Sequence, residues 1–230
     1  MPVLRDWKLA ITVDHVLAGQ GADPAAVRAR RSVLVEVAAR TLEEGQTLLR
    51  PVILYRRLVV EELRDDQLML AGGNALSGLA VVRHLAAAQA VVVMVGTIGG
   101  ALEACTAALV ADDPIAALAL DGLGSSAATL LAIEACRFFD AQAAAEGLQA
   151  TRPISPGEDG WPVKEGQREL FALLDGAEIG VALLDSAMML PRKSFSMVLG
   201  LGVDVARDEA GTPCQRCNMR SVCRFQHRYV

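Results

Sequence analysis

The chain has 230 residues, enough for one large core or two interlocked lobes and too few for several independent domains. Hydrophobic residues make up 53% and aromatics only 4%, so the apolar excess lies in Ala, Val and Leu, and general disorder is excluded. With 22 basic and 27 acidic side chains the net charge is −5, which argues against nucleic acid as the main partner.

Arg5, Asp6 and Lys8 interrupt the stretch where a removable leader would carry its apolar run. A reducing, cytoplasmic setting is therefore expected. The first helix is predicted over 23–45: Asp23 is a good N-cap, Pro24 suits the first helical position, and Val27, Leu34, Val37, Ala38 and Leu42 recur at helical spacing before Gly45. Residues 52–61 and 67–70 read as two strands joined by the charged turn Leu63-Arg64-Asp65-Asp66. Asn74 is predicted to cap a helix running to about Ala88.

Residues 85–102 are uncharged over almost the length of a short membrane-spanning helix. Their character changes halfway, from the β-branched run Ala90-Val91-Val92-Val93-Met94-Val95 to Gly96-Thr97-Ile98-Gly99-Gly100 and then a helical pattern. Strand, turn and helix are expected, with no membrane span. After Asp113-Pro114 the apolar run 115–120 reads as a short strand, and Asp121-Gly122-Leu123-Gly124-Ser125-Ser126 as a turn into an Ala-rich helix ending near Gly147. Residues 151–161 hold prolines and glycines without hydrophobic period, so a loop or linker is expected there, followed by a helix from Pro162 to Gly176 and strands at 179–184 and 195–203. Strands and helices that do not alternate strictly favour an α+β fold.

Gly96–Gly100 follows a strand and precedes a helix, the setting of an anion cradle, but neither nucleotide fingerprint is complete and a tight packing turn is the favoured reading. His15 and His84 are expected on helix surfaces, and no His stands beside a candidate nucleophile, so hydrolase chemistry has little support. Glu103 and Glu134 lie in apolar helical stretches, where a carboxylate is costly unless paired, solvated or used; both are secondary site candidates.

The segment Arg152-Pro-Ile-Ser-Pro156-Gly157-Glu158-Asp-Gly-Trp161-Pro, the helix Gln167-Arg-Glu-Leu-Phe-Ala-Leu-Leu-Asp-Gly176, and Ile179-Gly-Val-Ala-Leu-Leu-Asp-Ser-Ala-Met188-Met189-Leu-Pro-Arg192-Lys193-Ser194 together resemble the activation (reactivation) domain of cobalamin-dependent methionine synthase, above all its free-standing bacterial relatives. The match is densest over 152–202. It implies a C-shaped α+β fold with an antiparallel or mixed sheet and flanking helices, spanning 1–210 as one domain or as lobes 1–150 and 151–210. It also implies binding of S-adenosylmethionine and support of the reductive methylation of a corrinoid methyltransferase, with a flavoprotein or other electron donor. Arg152, Pro156 and Gly157 match the family's Arg and Pro-Gly turn; the family's tyrosine position holds Glu158. That carboxylate pairs with the ligand's cationic groups or removes a contact the tyrosine makes. Lys193 and Ser194 fall where the family has a loop entering a strand near the ligand.

Read as residues alone, an Arg before a Pro-Gly turn offers a planar fork to a ligand carboxylate, or salt-bridges the loop to a neighbouring helix with Pro156-Gly157 as a plain turn. Met188 and Met189 are expected as core filler. Cys105 and Cys136 sit singly in apolar runs and are expected as core thiols, whereas residues 211–230 form a basic tail with Cys214, Cys217, Cys223 and His227. Three thiolates and an imidazole suit tetrahedral zinc, an iron–sulfur cluster with an outside ligand, or free redox-active thiols, so a metal-bearing electron-transfer module is the competing functional expectation.

Overall fold

The structure, a computed structural model, describes residues 1–158, 160–206 and Ser221. Short β1 (Val3–Leu4) precedes α1 (Val13–Gly19), where the Thr12 hydroxyl accepts from the His15 N–H and the His15 ring accepts from the Thr12 N–H at 3.0 Å, satisfying two donors at the helix start. Asp23 caps the next helix as expected, its carboxylate accepting from Ala25 N–H at 3.0 Å. The single helix expected over 23–45 is two, however: α2 (Pro24–Arg30) stops at Arg31, whose backbone leaves the helical region at φ −147° and ψ 70°, and α3 (Ser32–Gly45) follows. The break lets α2 turn to α1, where Arg28 pairs with Asp14 at 2.7 Å, while α3 buries Ala38 and Thr41.

The central element is β2 (Val52–Arg64), which forms the expected hairpin with β3 (Gln67–Leu70) around Asp65, a residue at φ 48°. Asn74 does not cap a helix. It opens β4 (Asn74–Ser77), because Gly72 and Gly73 at φ 82° and 74° make a second hairpin turn and the Asn74 amide donates back to the Ala71 carbonyl. The helix itself is the shorter α4 (Leu79–Leu85).

Strand, turn and helix follow as expected in β5 (Ala90–Thr97), the Gly99 turn and α5 (Ala101–Leu109). The strand expected at 115–120 and the turn expected at Asp121 are both replaced by one helix, α6 (Pro114–Ala145), capped by Asp113. Its internal glycines serve tertiary contact: a Cβ on Gly122 would lie 2.6 Å from the Val16 carbonyl oxygen of α1, and one on Gly124 would lie 2.9 Å from the Leu102 side chain. Among the described residues α6 is the one helix long and apolar enough to cross a membrane, and half of its most apolar window is buried inside the fold.

The remaining elements are β6 (Gln149–Ala150), α7 (Val163–Leu173), the short pair β7 (Ala182–Leu183) and β8 (Met189–Leu190), and β9 (Ser194–Gly202). The strand expected over 179–184 shrinks to β7, because Asp175 caps a 3-10 turn at Gly176–Ile179 instead. All ladder pairs are antiparallel, in the order β4-β3-β2-β5-β9-β6 with β1 on β2.

Both faces of the sheet are covered, which explains why β5 reads as an unbroken apolar run. Val91, Val93 and Val95 face α4, α7 and Trp161, whereas Val92 and Met94 face the C-terminal half of α6 through Ala127, Leu131, Ala135 and Phe139. Burying each such Val or Leu side chain contributes about 1.5–3 kcal/mol. The N-terminal half of α6 packs on α1, α3 and α5 around Val16, Leu17, Leu120 and Leu123. Met189 packs against the first core as expected, but Met188 is 51% exposed and fills none. Cys105 and Cys136 are half-buried at core margins. The architecture is α+β: an antiparallel sheet with flanking helices.

Candidate functional site

The chain around Arg152 is pinned from two sides. Thr151 N–H donates to the Gly200 carbonyl at 2.8 Å and its hydroxyl accepts from Gly200 N–H at 2.9 Å, while Ile154 and Val198 exchange two bonds of 2.9 Å. Gly200 permits this approach, since a Cβ there would stand 3.0 Å from Thr151, Leu85 and Ala88. From α4, His84 Nε2 lies 2.9 Å from the Arg152 carbonyl; a carbonyl only accepts, so this nitrogen carries the proton. His84 thus sits on its helix facing the loop and fixing it, a role with no local sequence signal.

The Arg152 side chain, 16% exposed, bends along its own loop. Its Nη1 donates to the Pro153 carbonyl at 3.1 Å and lies 3.4 Å from Glu158 Oε2, whose side chain is 24% exposed. Pro156 and Gly157 form the turn between the two charged groups. Gly157 has φ 104°, its N–H donates to the Trp161 carbonyl at 2.7 Å, and Glu158 N–H donates to the Ser155 carbonyl at 3.0 Å. A Cβ at Gly157 would meet the Val163 side chain at 3.1 Å in a backbone conformation that other residues rarely adopt.

Behind the turn lies Trp161, 1% exposed, whose Nε1 is buried without a hydrogen-bond partner among the described residues. Gly166 of α7 makes room for this indole: a Cβ there would be 2.7 Å from Trp161 Nε1 and 3.0 Å from Pro156 Cβ. Trp161 enters the sequence analysis only as part of the segment that carries the resemblance, and Gly166 not at all. The structure therefore brings Arg152, Pro156, Gly157 and Glu158 together in one supported turn, with a cation and an anion side by side.

Lys193 and Ser194 are placed elsewhere. Ser194 begins β9, four residues before Val198, roughly 13 Å along the strand from the pinned loop. Its hydroxyl donates to the Pro191 carbonyl. Lys193 Nζ donates to Ser125 Oγ at 2.8 Å and pairs with Asp121 at 2.8 Å, clamping the start of β9 to α6. Beside it Glu103 accepts from the Arg192 backbone N–H and side chain. Partial burial alone would raise the Glu103 pKa, but the bonds from Arg192 and the charges of Arg192 and Lys193 hold it below the usual carboxylate value. Glu103 is thus a structural anchor, and Glu134 pairs with Arg137 on the α6 surface at 2.6 Å.

Gly99, at φ 82°, makes the turn between β5 and α5, and its N–H donates to Thr97 Oγ1 at 3.1 Å. Cys214, Cys217, Cys223 and His227 lie outside the described residues. Among the described residues no three His, Cys, Asp or Glu side chains gather in a group able to hold a metal ion.

No protein-family model matches the sequence, and neither does any curated protein. Among solved structures, the crystal structure of the MetH reactivation domain bound to AdoHcy is similar over 90% of this chain and 80% of that chain, with a TM-score of 0.63 and 14% sequence identity. The chain has a reactivation-domain-like α+β fold.

Proposed function

We propose that this protein binds S-adenosylmethionine at the Arg152–Glu158 turn and acts as a cytoplasmic activation subunit for a corrinoid-dependent methyltransferase. The observation that carries the reading is the Arg152 guanidinium held between the Pro153 carbonyl and Glu158, on the loop that makes the Pro156-Gly157 turn, in a fold like that of a reactivation domain bound to AdoHcy.

The residues fit the head of such a ligand. Arg152 presents a planar donor set to the α-carboxylate, and its backbone is fixed by His84 and β9, so little ordering cost remains on binding. Pro156 and Gly157 bring a side-chain-poor turn against the ligand. When bound, S-adenosylmethionine supplies an electrophilic methyl on a sulfonium, taken up by a reduced corrinoid that a partner chain holds and an electron donor such as a flavoprotein keeps reduced. What this chain contributes is alignment of that methyl, and no general acid or base is invoked.

Titration calorimetry tests the reading. Binding by the wild type and loss of about tenfold or more in Arg152→Ala is expected, since removing a charge-assisted carboxylate contact costs on the order of 1.5–3 kcal/mol. An absence of heat in the wild type, or equal affinity in the variant, refutes it.

A further inference from the structure

The loop that carries Arg152 also carries a carboxylate already engaged with it. Glu158 lies six residues on, across the Pro156-Gly157 turn, and Oε2 stands 3.4 Å from Arg152 Nη1. We infer that Glu158 is a specificity-determining residue of this site: it occupies the guanidinium that an incoming carboxylate needs, and only a ligand bringing its own carboxylate displaces it. This inference rests on the reading given under Proposed function and deepens it.

Three observations carry it. First, the Arg152 backbone is fixed by His84 and by the Gly200 and Val198 bonds on either side, so the exchange has to come from the Glu158 side of the turn. Second, the contact is longer than the 2.7–2.9 Å of a well-made charge-assisted bond, so a two-pronged carboxylate competes well against it. Third, both side chains are partly withdrawn from water, at 16% and 24% exposure, so their attraction is less screened than that of a surface ion pair. Glu158 thereby imposes a threshold on what binds. A ligand without a carboxylate leaves the pair in place and gains nothing from Arg152.

Calorimetry with two probes separates the outcomes. S-adenosylmethionine carries the carboxylate; 5′-methylthioadenosine shares the nucleoside and lacks the amino-acid part. Glu158→Gln is expected to bind S-adenosylmethionine about two- to fivefold more tightly than the wild type, the range of a partly exposed ion pair, with 5′-methylthioadenosine unchanged. Glu158→Ala is expected to move affinity in the same direction. Equal or weaker binding of S-adenosylmethionine in Glu158→Gln overturns the inference, as does the same gain for both probes. If that happens while Arg152→Ala still abolishes binding, the Arg152 reading stands; no binding by either wild type or Glu158→Gln removes both.

Discussion

A single methyl group at Gly19 tests the helical half of the fold most directly. In Gly19→Ala the new Cβ would lie 2.1 Å from the Gly122 carbonyl oxygen and 2.7 Å from Ser126 Oγ, both on α6. A carbon and a carbonyl oxygen come to rest at about 3.3 Å, so α1 and α6 have to part by roughly 1 Å. Neither contact is the far end of a flexible chain. Separation also stretches the 2.6 Å bond from the Ser126 hydroxyl to the His15 carbonyl and opens the packing of Val16 and Leu17 on Leu120 and Leu123. Overpacking of this kind costs about 1–3 kcal/mol and the bond about 1 more, for a loss of about 3 kcal/mol. In a domain of this size that lowers Tm by about 6–12 °C. Thermal and urea unfolding followed by circular dichroism measure it. A Tm within about 1 °C of the wild type refutes the close helix crossing.

Two further predictions concern titration. Glu103 has its folded pKa below its unfolded value, so its contribution is fully present above that unfolded value and is lost as pH falls through the folded one. Glu103→Gln is expected to lower stability at neutral pH by at most about 1 kcal/mol, because Arg192 is well exposed, and the gap to wild type should close as pH falls below the ordinary carboxylate range; a gap that persists in acid contradicts the assignment. Burial, with the Asp140 charge adding to it, pushes the Cys136 thiol up to about 12. At pH about 8 its alkylation by iodoacetamide in the folded protein is expected to be about a hundredfold or more slower than in urea, read by mass spectrometry of the Cys136 peptide. Labelling at the unfolded rate would contradict the burial.

Elements whose signals are local were readable from the chain. The β-branched run of β5, the cap at Asp23 and the charged turn at Asp65-Asp66 stand where the residues alone put them. Signals with a tertiary cause misled. Gly122 and Gly124 look like turn residues because glycine tolerates positive φ, yet in α6 they admit α1 and Leu102 into close contact. Asn74 has a helix cap's chemistry but spends it on the Ala71 carbonyl, across two glycines. At the site, Arg152, Pro156, Gly157 and Glu158 are near enough in sequence to be read as one unit. Their supports are not: His84 lies 68 residues away, and Gly166 matters only because an indole fills the space a Cβ would take.

The position of β9 sets an order on synthesis. It emerges after every other strand among the described residues, yet it lies between β5 and β6, and its Val198 and Gly200 hold the turn carrying Arg152. Until Ser194–Gly202 leaves the ribosome, the Ala90–Thr97 edge has no neighbour on that side and the Arg152 loop lacks its bonds to Val198 and Gly200. The site is therefore completed last, and a nascent chain stalled before residue 194 presents a valine-rich open edge of the kind that recruits chaperones or other strands.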